Sequence, residues 1–228
     1  MRALIRLTAK MIRDAQSGEA PWRVGNRVLY DLCRTHPRHV DDAVIIAKVL
    51  LIGRVYSATL ERGRGATVGD DISNERFYTD HVAKTLRTSD LDDKLRRLGS
   101  AKEINESNVG RVLDVHRYLV DLFETLTRKE KRSLASKYLH FHRPHLFFLY
   151  DSPANRGISR FRVPAHSIDA PASSDAQYAT FVAKAIGLRE YVAAKFHTTL
   201  TLRQLDRLLL NVHRDDRKDV SVRHHRRT

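Results

Sequence analysis

The sequence of 228 residues predicts an all-α protein, folded as a compact helical bundle. Apolar residues recur at spacings of three and four along most of the chain, as they do in helices that bury one face. No pair of alternating apolar segments is joined by a hairpin turn, and no motif repeats at a fixed period. The length suits one hydrophobic core, so we predict a single domain over residues 1–213 and a basic, mobile tail over residues 214–228.

The first part of the chain contains the predicted core helix. A helix near the N-terminus and another over residues 26–34 precede it. The core helix runs from Val40 to about Arg62, and its apolar residues cover more than one face, as in a helix surrounded by others. Asp41 and Asp42 mark its start, because carboxylates stabilise the positive end of the helix dipole.

Further helices are predicted beyond the core helix. They cover residues 71–87, 90–98, 108–128, 174–196 and 201–213. Thr201 is the predicted N-cap of the last one, because its hydroxyl can accept a hydrogen bond from the first turn. Residues 153–171 contain prolines and no sustained periodicity, so we expect irregular backbone there with at most a short helix.

The charge of the chain favours nucleic acid as its partner. Lysine and arginine number 41 against 27 acidic residues, which gives a formal net charge of +14 and a sequence pI near 10.2. Such a surplus suits a protein that neutralises phosphates and is unusual for an enzyme of small neutral metabolites. A basic surface without a nucleic-acid function is the alternative that composition leaves open.

Cysteine usage and hydropathy bear on the compartment. Cys33 is the only cysteine, so neither an intrachain disulfide framework nor a CxxC zinc pair is available. The first residues lack the pattern of a secretion signal, and no apolar run is long enough to span a bilayer. We expect a soluble, cytoplasmic protein and assign it as a monomer. His140, His142 and His145 have irregular spacing and no cysteine nearby, so we assign no metal and no cofactor.

Residues 133–152 hold the densest set of reactive side chains, including Lys137, three histidines and Asp151. Here the sequence resembles bacterial proteins with an 8-oxoguanine DNA glycosylase fold, which are relatives of the helix-hairpin-helix glycosylases. The matching features are Ser136-Lys137 followed by an apolar helix, then Pro144, then an apolar approach to Asp151. Two further segments extend the likeness over about residues 26–212. They are Leu51-Ile52-Gly53-Arg54-Val55-Tyr56 and Leu202-Arg203-Gln204-Leu205-Asp206-Arg207.

One segment departs from the family pattern. A glycine-rich hairpin is expected between the two helices before the catalytic segment, but this chain has Thr127-Arg128-Lys129-Glu130-Lys131-Arg132 there. Basic side chains at this position can bind a DNA backbone, whereas a glycine-rich hairpin offers bare backbone amides to phosphate.

The resemblance implies a DNA glycosylase, an enzyme that flips a damaged or modified base out of double-stranded DNA and cleaves its bond to the sugar. Lys137 would be the nucleophile that attacks the sugar and forms a Schiff base. Asp151 would be the carboxylate that stabilises the developing positive charge. Lys131 is an alternative nucleophile, and a monofunctional enzyme would use water and Asp151 alone. The family context also suggests defence against foreign, phage DNA.

The resemblance further implies which residues contact DNA. The expected phosphate contacts are Arg54, Lys129, Lys131 and Arg132, and the expected base pocket consists of Phe148, Tyr150 and His140. These residue types have ordinary structural roles as well. Aromatic side chains usually pack in a core, and an aspartate before Ser152-Pro153 can serve as a helix cap.

Two other functions stay open at the level of sequence. Arg111 and His116 have four residues between them on a predicted helix, a spacing that resembles the ribonuclease motif of HEPN-domain toxins. Arg34 and His39 show the same spacing in a proline-containing turn, so the spacing also arises by chance. The remaining possibility is a non-catalytic DNA-binding module in which the basic surface is the whole function.

Overall fold

The structure, a computed structural model, describes residues 4–17, 22–61 and 72–225, the last ten of them as backbone only. Within these ranges the chain is helical, and the one pairing of extended backbone is an isolated bridge between Ile5 and Phe161. The prediction of an all-α protein is confirmed.

Helices account for most of the described chain. They are α1 (Ala9–Ser17), α2 (Arg23–Thr35), α3 (Asp42–Val55), α4 (Asn74–Arg76), a π-helical segment (Phe77–Ala83), α5 (Lys84–Arg87), α6 (Leu91–Arg97), α7 (Val109–Thr127), α8 (Arg132–His142), α9 (Ser152–Ile158), α10 (Ala176–Phe196) and α11 (Leu202–His225). The π-helical segment follows α4 and leads into α5 without a break, so the three together correspond to the helix predicted over residues 71–87.

The chain forms two compact units, each built from separate stretches of sequence. The middle unit contains α2 to α8, and it comprises Ala20–Phe147 and Ile168–Ala176. The terminal unit contains α1, α9, α11 and all but the first residue of α10, and it comprises Met1–Glu19, Phe148–Ser167 and Gln177–Thr228. The single domain over residues 1–213 stays a prediction, and its predicted boundary falls inside α11.

Helix α3 buries one face in the middle unit, whereas Leu51 on another face is 42% exposed, so the expected burial on more than one face is only partly met. The side chains of Ile45, Val49 and Ile52 are fully buried. The N-cap is Asp41, whose carboxylate accepts a hydrogen bond from the backbone N–H of Val44 at 3.2 Å. This cap satisfies one of the free donors at the helix start, and it confirms the predicted beginning of the core helix.

Helix α3 ends at Val55, before the predicted end near Arg62. The chain turns because Ser57 adopts a left-handed backbone conformation, with φ at 52°, and the N–H of Ala58 donates to the carbonyl of Gly53 at 2.8 Å. This arrangement is a Schellman motif, which satisfies a carbonyl at the end of a helix. The predicted helix end was wrong because the motif depends on backbone conformation and not on apolar periodicity.

Helices α7 and α8 are joined by the basic segment that replaces the expected glycine-rich hairpin. After Thr127, Arg128 takes a left-handed conformation, with φ at 51°, which glycine adopts more easily. The hydroxyl of Thr127 donates to the carbonyl of Phe123 at 2.8 Å, and the ammonium of Lys131 donates to the carbonyl of Thr59 at 3.0 Å. Side-chain hydrogen bonds therefore hold this turn in shape.

In the terminal unit, α9 and α11 approach closely at Gly157. A side chain at this position would overlap the backbone carbonyl of Leu209, so the helix crossing requires glycine. The close approach buries the apolar face of the short helix α9, which includes Ile158.

Helix α11 starts where the sequence predicts and ends later. The hydroxyl of Thr201 accepts a hydrogen bond from the N–H of Gln204 at 3.1 Å, and the side chain of Gln204 accepts one from the N–H of Thr201 at 2.9 Å. This capping box confirms the predicted start. The helix continues to His225 because the charged residues after position 213 are compatible with helix propagation. The mobility of the tail stays a prediction, and residues 226–228 lie outside the described residues.

Candidate nucleic-acid interface

The predicted nucleophile, Lys137, lies on α8 inside the middle unit, where the residue is only 2% exposed. Its ammonium donates to the hydroxyl of Ser133 at 2.9 Å and lies 5.6 Å from the ring centre of Tyr56. A nucleophilic amine must reach a sugar carbon, so in this conformation packing shields Lys137 from a bound substrate. The role of Lys137 stays a prediction.

The predicted carboxylate, Asp151, belongs to the terminal unit and is partly exposed. It is the N-cap of α9, and its Oδ1 accepts a hydrogen bond from the N–H of Ala154 at 2.9 Å. The structural interpretation of Asp151 as a helix cap is therefore confirmed. A carboxylate that caps a helix can also take part in catalysis, so the catalytic assignment of Asp151 stays a prediction.

The four predicted phosphate contacts all lie in the middle unit but differ in accessibility. Lys129 is exposed, and Arg54 is mostly exposed while forming an ion pair with Glu61 at 3.2 Å. The Lys131 ammonium is directed to the Thr59 carbonyl, as described above. Arg132 is largely buried, and its guanidinium lies 2.6 Å from the carboxylate of Asp175. Arg54 and Lys129 can meet a DNA backbone as they stand, whereas Lys131 and Arg132 have structural partners.

The predicted base-pocket residue His140 is buried, with both ring nitrogens in hydrogen bonds. Its Nδ1–H donates to the carbonyl of Phe147 at 2.8 Å, so its Nε2 accepts the hydroxyl proton of Tyr30 at 2.7 Å. These partners leave His140 without a nitrogen for a base in this conformation.

The other two predicted pocket residues, Phe148 and Tyr150, are buried in the terminal unit. The ring of Tyr150 packs edge-on against Phe181, with centroids 5.1 Å apart, and the carbonyl of Phe148 accepts a hydrogen bond from the hydroxyl of Tyr178 at 3.0 Å. Both rings therefore have the core packing that the sequence also allowed, and their role as base-stacking groups stays a prediction.

A cleft of about 960 Å³ opens on the middle unit, between the C-terminal end of α2, helix α6 and the residues that follow α8. Four arginines line it, together with histidines, two aspartates and an apolar wall. The lining residues are Tyr30, Cys33, Arg34, Pro37, Arg38, Asp92, Asp93, Leu95, Arg96, Ala101, Phe141, His142, Arg143, Pro144, His145 and Leu146. Sequence reasoning missed this site because its residues come from three distant stretches of the chain.

Three of the cleft arginines form exposed ion pairs with nearby aspartates. Arg34 lies 3.1 Å from Asp31, and Arg96 lies 2.8 Å from Asp93. Arg38 lies 4.0 Å from a carboxylate oxygen of a third aspartate, Asp92. Exposed pairs of this kind contribute at most about 1 kcal/mol each, so a phosphate can replace the carboxylate at little cost.

The fourth arginine, Arg143, is held in place by the helix beside it. Its guanidinium donates to the carbonyl of Leu95 at 3.0 Å, near the C-terminal end of α6, where the helix dipole favours a positive charge. The wall between the arginines includes the buried side chains of Phe141 and Leu146. The lining of the cleft therefore combines guanidinium groups with aromatic and apolar side chains.

A buried hydrogen-bond chain supports the cleft. Asp92 accepts from the Nδ1–H of His39 at 2.5 Å and from the His39 backbone N–H at 2.9 Å, and the hydroxyl of Tyr138 donates to Nε2 of His39 at 2.8 Å. Burial lowers the pKa of His39 in spite of Asp92, and burial raises the pKa of Tyr138. His39 is therefore neutral with a fixed tautomer, and Tyr138 keeps the proton that it donates.

The loop that carries Arg38 into the cleft is anchored by a buried lysine. The ammonium of Lys48, on α3, donates to the carbonyl of His36, and it lies 3.3 Å from the carbonyl of Arg38. Burial lowers the pKa of this ammonium. Cys33 lies in the cleft wall, where burial raises the pKa of its thiol to about 12, so it is a neutral packing group there.

The Arg111 and His116 pair of the HEPN-like alternative is not presented to solvent as a unit. Arg111 is exposed, but His116 is fully buried on α7, with its Nε2 lying 3.4 Å from the carbonyl of Arg132. Burial lowers the pKa of His116 to about 3. A histidine that handles protons of an RNA substrate must reach that substrate, so this arrangement does not favour the ribonuclease hypothesis.

The chain was compared with known protein families, curated proteins and solved structures. No match is found in any of the three. Among the described residues, no helix is both long and apolar enough to cross a bilayer. In the same part of the chain, no three histidine, cysteine or carboxylate side chains come together as metal ligands.

Proposed function

We propose that this protein binds double-stranded DNA through the cleft of the middle unit and excises a damaged or modified base as a DNA glycosylase. One observation carries the proposal. The segment that resembles the glycosylase catalytic segment supplies Phe141, His142, Arg143 and the three residues after them to a cleft that four arginines line. Three of the four arginines, Arg34, Arg38 and Arg96, come from outside that segment, and they add a positive charge that suits nucleic acid.

Size and chemistry of the cleft support a nucleotide as occupant. Sites for small organic ligands have volumes of roughly 300–1,000 Å³, and the cleft lies at the upper end of that range. A guanidinium group can donate two parallel hydrogen bonds to the oxygens of one phosphate. Such contacts orient the DNA backbone without reading the base sequence. An unpaired base then has the partly exposed side chain of Tyr30 to pack against.

The chemical step that we propose is hydrolytic. Water adds its oxygen to the C1′ carbon of the sugar, and the C1′–N bond breaks with its electron pair leaving on the base. One proton of the water passes to the departing base by way of a carboxylate, for which the resemblance implies Asp151 of the terminal unit, and the other stays on the new hydroxyl. Asp151 is favoured over Lys137 because its carboxylate is partly exposed, whereas the lysine is buried.

The test is incubation of the full chain with duplexes that carry oxidised, alkylated or phage-type modified bases. The readouts are abasic sites and a borohydride-trapped covalent adduct. We expect abasic sites without an adduct, since a trapped adduct would assign the chemistry to a lysine instead. DNA that is bound without release of any base would reduce the function to a non-catalytic module.

Asp151→Asn is the variant that tests the catalytic residue. Asparagine caps helices about as well as aspartate, so the variant keeps the α9 cap and removes only the charge. We expect base release to be lost while DNA affinity is unchanged. Asp41→Asn, which replaces the equivalent cap of α3, is the matched control and should release the base normally. Retained excision in Asp151→Asn would remove this carboxylate from the mechanism.

A further inference from the structure

His142 is the last residue of α8, and its side chain lines the cleft of the middle unit. Its ring packs on two others, with centroids 5.1 Å from His39 and 5.0 Å from Tyr138. Both neighbours belong to the hydrogen-bond chain that ends at Asp92. The imidazole of His142 is thus held in a fixed position at the cleft wall without a hydrogen bond of its own to that chain.

His142 differs from His39 and His140 in the hydrogen bonds of its ring nitrogens. Both ring nitrogens of His39 and both of His140 have partners, as described above. The Nε2 atom of His142 is buried and has no hydrogen-bond partner within the described part of the chain. Nearly every buried polar atom of a folded protein has a hydrogen-bond partner, so the Nε2 atom of His142 calls for an explanation, and a ligand that reaches it is one.

The charge on His142 decides which part of a nucleotide it suits. Burial lowers its pKa well below the ordinary histidine range, and the nearby cations Lys48 and Arg143 lower it further. The imidazole is therefore neutral at pH 7, with one nitrogen that donates and one that accepts. A neutral imidazole gains little from a phosphate, whereas the edge of a nucleobase carries both acceptors and donors.

We infer that His142 contacts the base of a nucleotide whose phosphates lie on the arginines of the cleft. The inference rests on the proposed function and names the substrate-contacting residue of that same site. The cleft lining includes the charged side chains of Arg34, Arg38 and Arg96 and the uncharged side chains of His142 and Tyr30. The occupant is a nucleotide with an unpaired base, as in a flipped or bulged position of a duplex.

The experiment compares two duplexes that differ only in the presence of one base. One carries a single bulged thymidine, and the other carries a bulged abasic nucleotide with the same phosphates. The affinity ratio of the wild-type chain for these two duplexes measures contact with the base alone. His142→Phe keeps a ring for packing and removes both nitrogens, so we expect it to lower the ratio about tenfold.

Three variants make the result specific. His142→Gln retains a donor and an acceptor, and it should recover part of the ratio. Arg96→Ala should weaken binding of both duplexes equally and leave the ratio unchanged. His81→Phe replaces a stacked histidine outside the cleft, whose ring lies 6.4 Å from Phe77, and should change neither value. An unaltered ratio in folded His142→Phe protein would overturn the inference.

Stability provides a readout that a structural role would not give. Because His142→Phe removes an unsatisfied buried nitrogen, the variant should unfold at the same or a higher temperature than the wild type. Excision is scored separately on the duplexes that carry oxidised, alkylated or phage-type modified bases. A ratio that depends on His142 without any base release would keep the inference and overturn the glycosylase chemistry. If the chain binds neither duplex but binds free thymidine monophosphate through His142, the occupant is a free nucleotide and the DNA function fails.

Discussion

Two clusters in the middle unit combine the same residue types and differ in their access to solvent. In the first, His39 is paired with Asp92, whose side chain is 27% exposed at the cleft. In the second, His116 lies beside the ion pair of Arg132 and Asp175, and the Asp175 side chain is only 1% exposed. Each cluster contains a buried histidine with a lowered pKa. The difference teaches that a buried histidine with a lowered pKa is common to both clusters, and that the exposure of the aspartate decides whether the cluster opens to a cleft.

The second cluster, of His116, Arg132 and Asp175, is closed to solvent, and its stability should be the more sensitive to loss of charge. Asp175→Asn leaves the largely buried guanidinium of Arg132 without its closest carboxylate, and we expect a loss of about 3 kcal/mol in the free energy of unfolding. Urea denaturation measures it. Glu130→Gln removes the other, exposed partner of Arg132 at 2.8 Å and should cost less than about 1 kcal/mol. Equal effects of the two variants would abolish the distinction between closed and open clusters.

Acid should act on the closed cluster through His116. The unfolded chain binds a proton at this histidine below about pH 6.5, whereas the folded chain does so only near pH 3. Stability is therefore complete above pH 6.5 and falls as the pH is lowered, and this one residue accounts for about 2 kcal/mol between pH 7 and pH 5. Urea denaturation at several pH values of wild type and His116→Gln gives the difference.

The control for the acid experiment is His36→Gln, because the exposed side chain of His36 meets solvent in both states. Its profile should follow that of the wild type. The His116→Gln profile should be flatter over the same range, and identical slopes in all three proteins would contradict the burial of His116.

The smallest effect on stability is expected in the first cluster, of His39, Asp92 and Tyr138, which is open to the cleft. Tyr138→Phe removes the hydroxyl that donates to His39, and the buried Nε2 of that histidine loses its partner. We expect a loss of about 1 kcal/mol in the free energy of unfolding. Tyr118→Phe is the matched control, since that hydroxyl accepts an exposed hydrogen bond from the N–H of Asp90, and it should cost less than about 0.5 kcal/mol. A Tyr138→Phe protein as stable as the wild type would show that the hydrogen bond from Tyr138 to His39 does not stabilise the fold.

Local signals in the sequence predicted local structure well. The caps at Asp151 and Thr201 are confirmed, and so is the helix start at Asp41, because a side chain three positions from its backbone partner needs no distant residue to form the bond. The end of α3 at Val55 was missed, since it depends on the left-handed conformation of Ser57, a residue type with no strong preference for it.

The candidate site was predicted less completely than the fold. The sequence identified residues 133–152 as the segment of interest, and part of that segment does line the cleft. It did not identify Arg34, Arg38 or Arg96, because their approach to residues 141–146 depends on how α2, α6 and α8 pack. Charge composition gives the total surplus of arginine and lysine but not the surface on which they gather.

The sequence by itself determined an all-α chain, the main helices with most of their starts, and a strong positive charge. Only the tertiary structure decided which of the two rings, His140 or His142, lines the cleft. Two positions along a helix differ by about 200° around its axis, so the two rings point in nearly opposite directions. Tyr30 and Phe147 form hydrogen bonds with both ring nitrogens of His140. The ring of His142 lines the cleft, and its Nε2 has no hydrogen-bond partner within the described part of the chain. Helical periodicity fixes the angle between two side chains, but only packing against other helices fixes which of them lines the cleft.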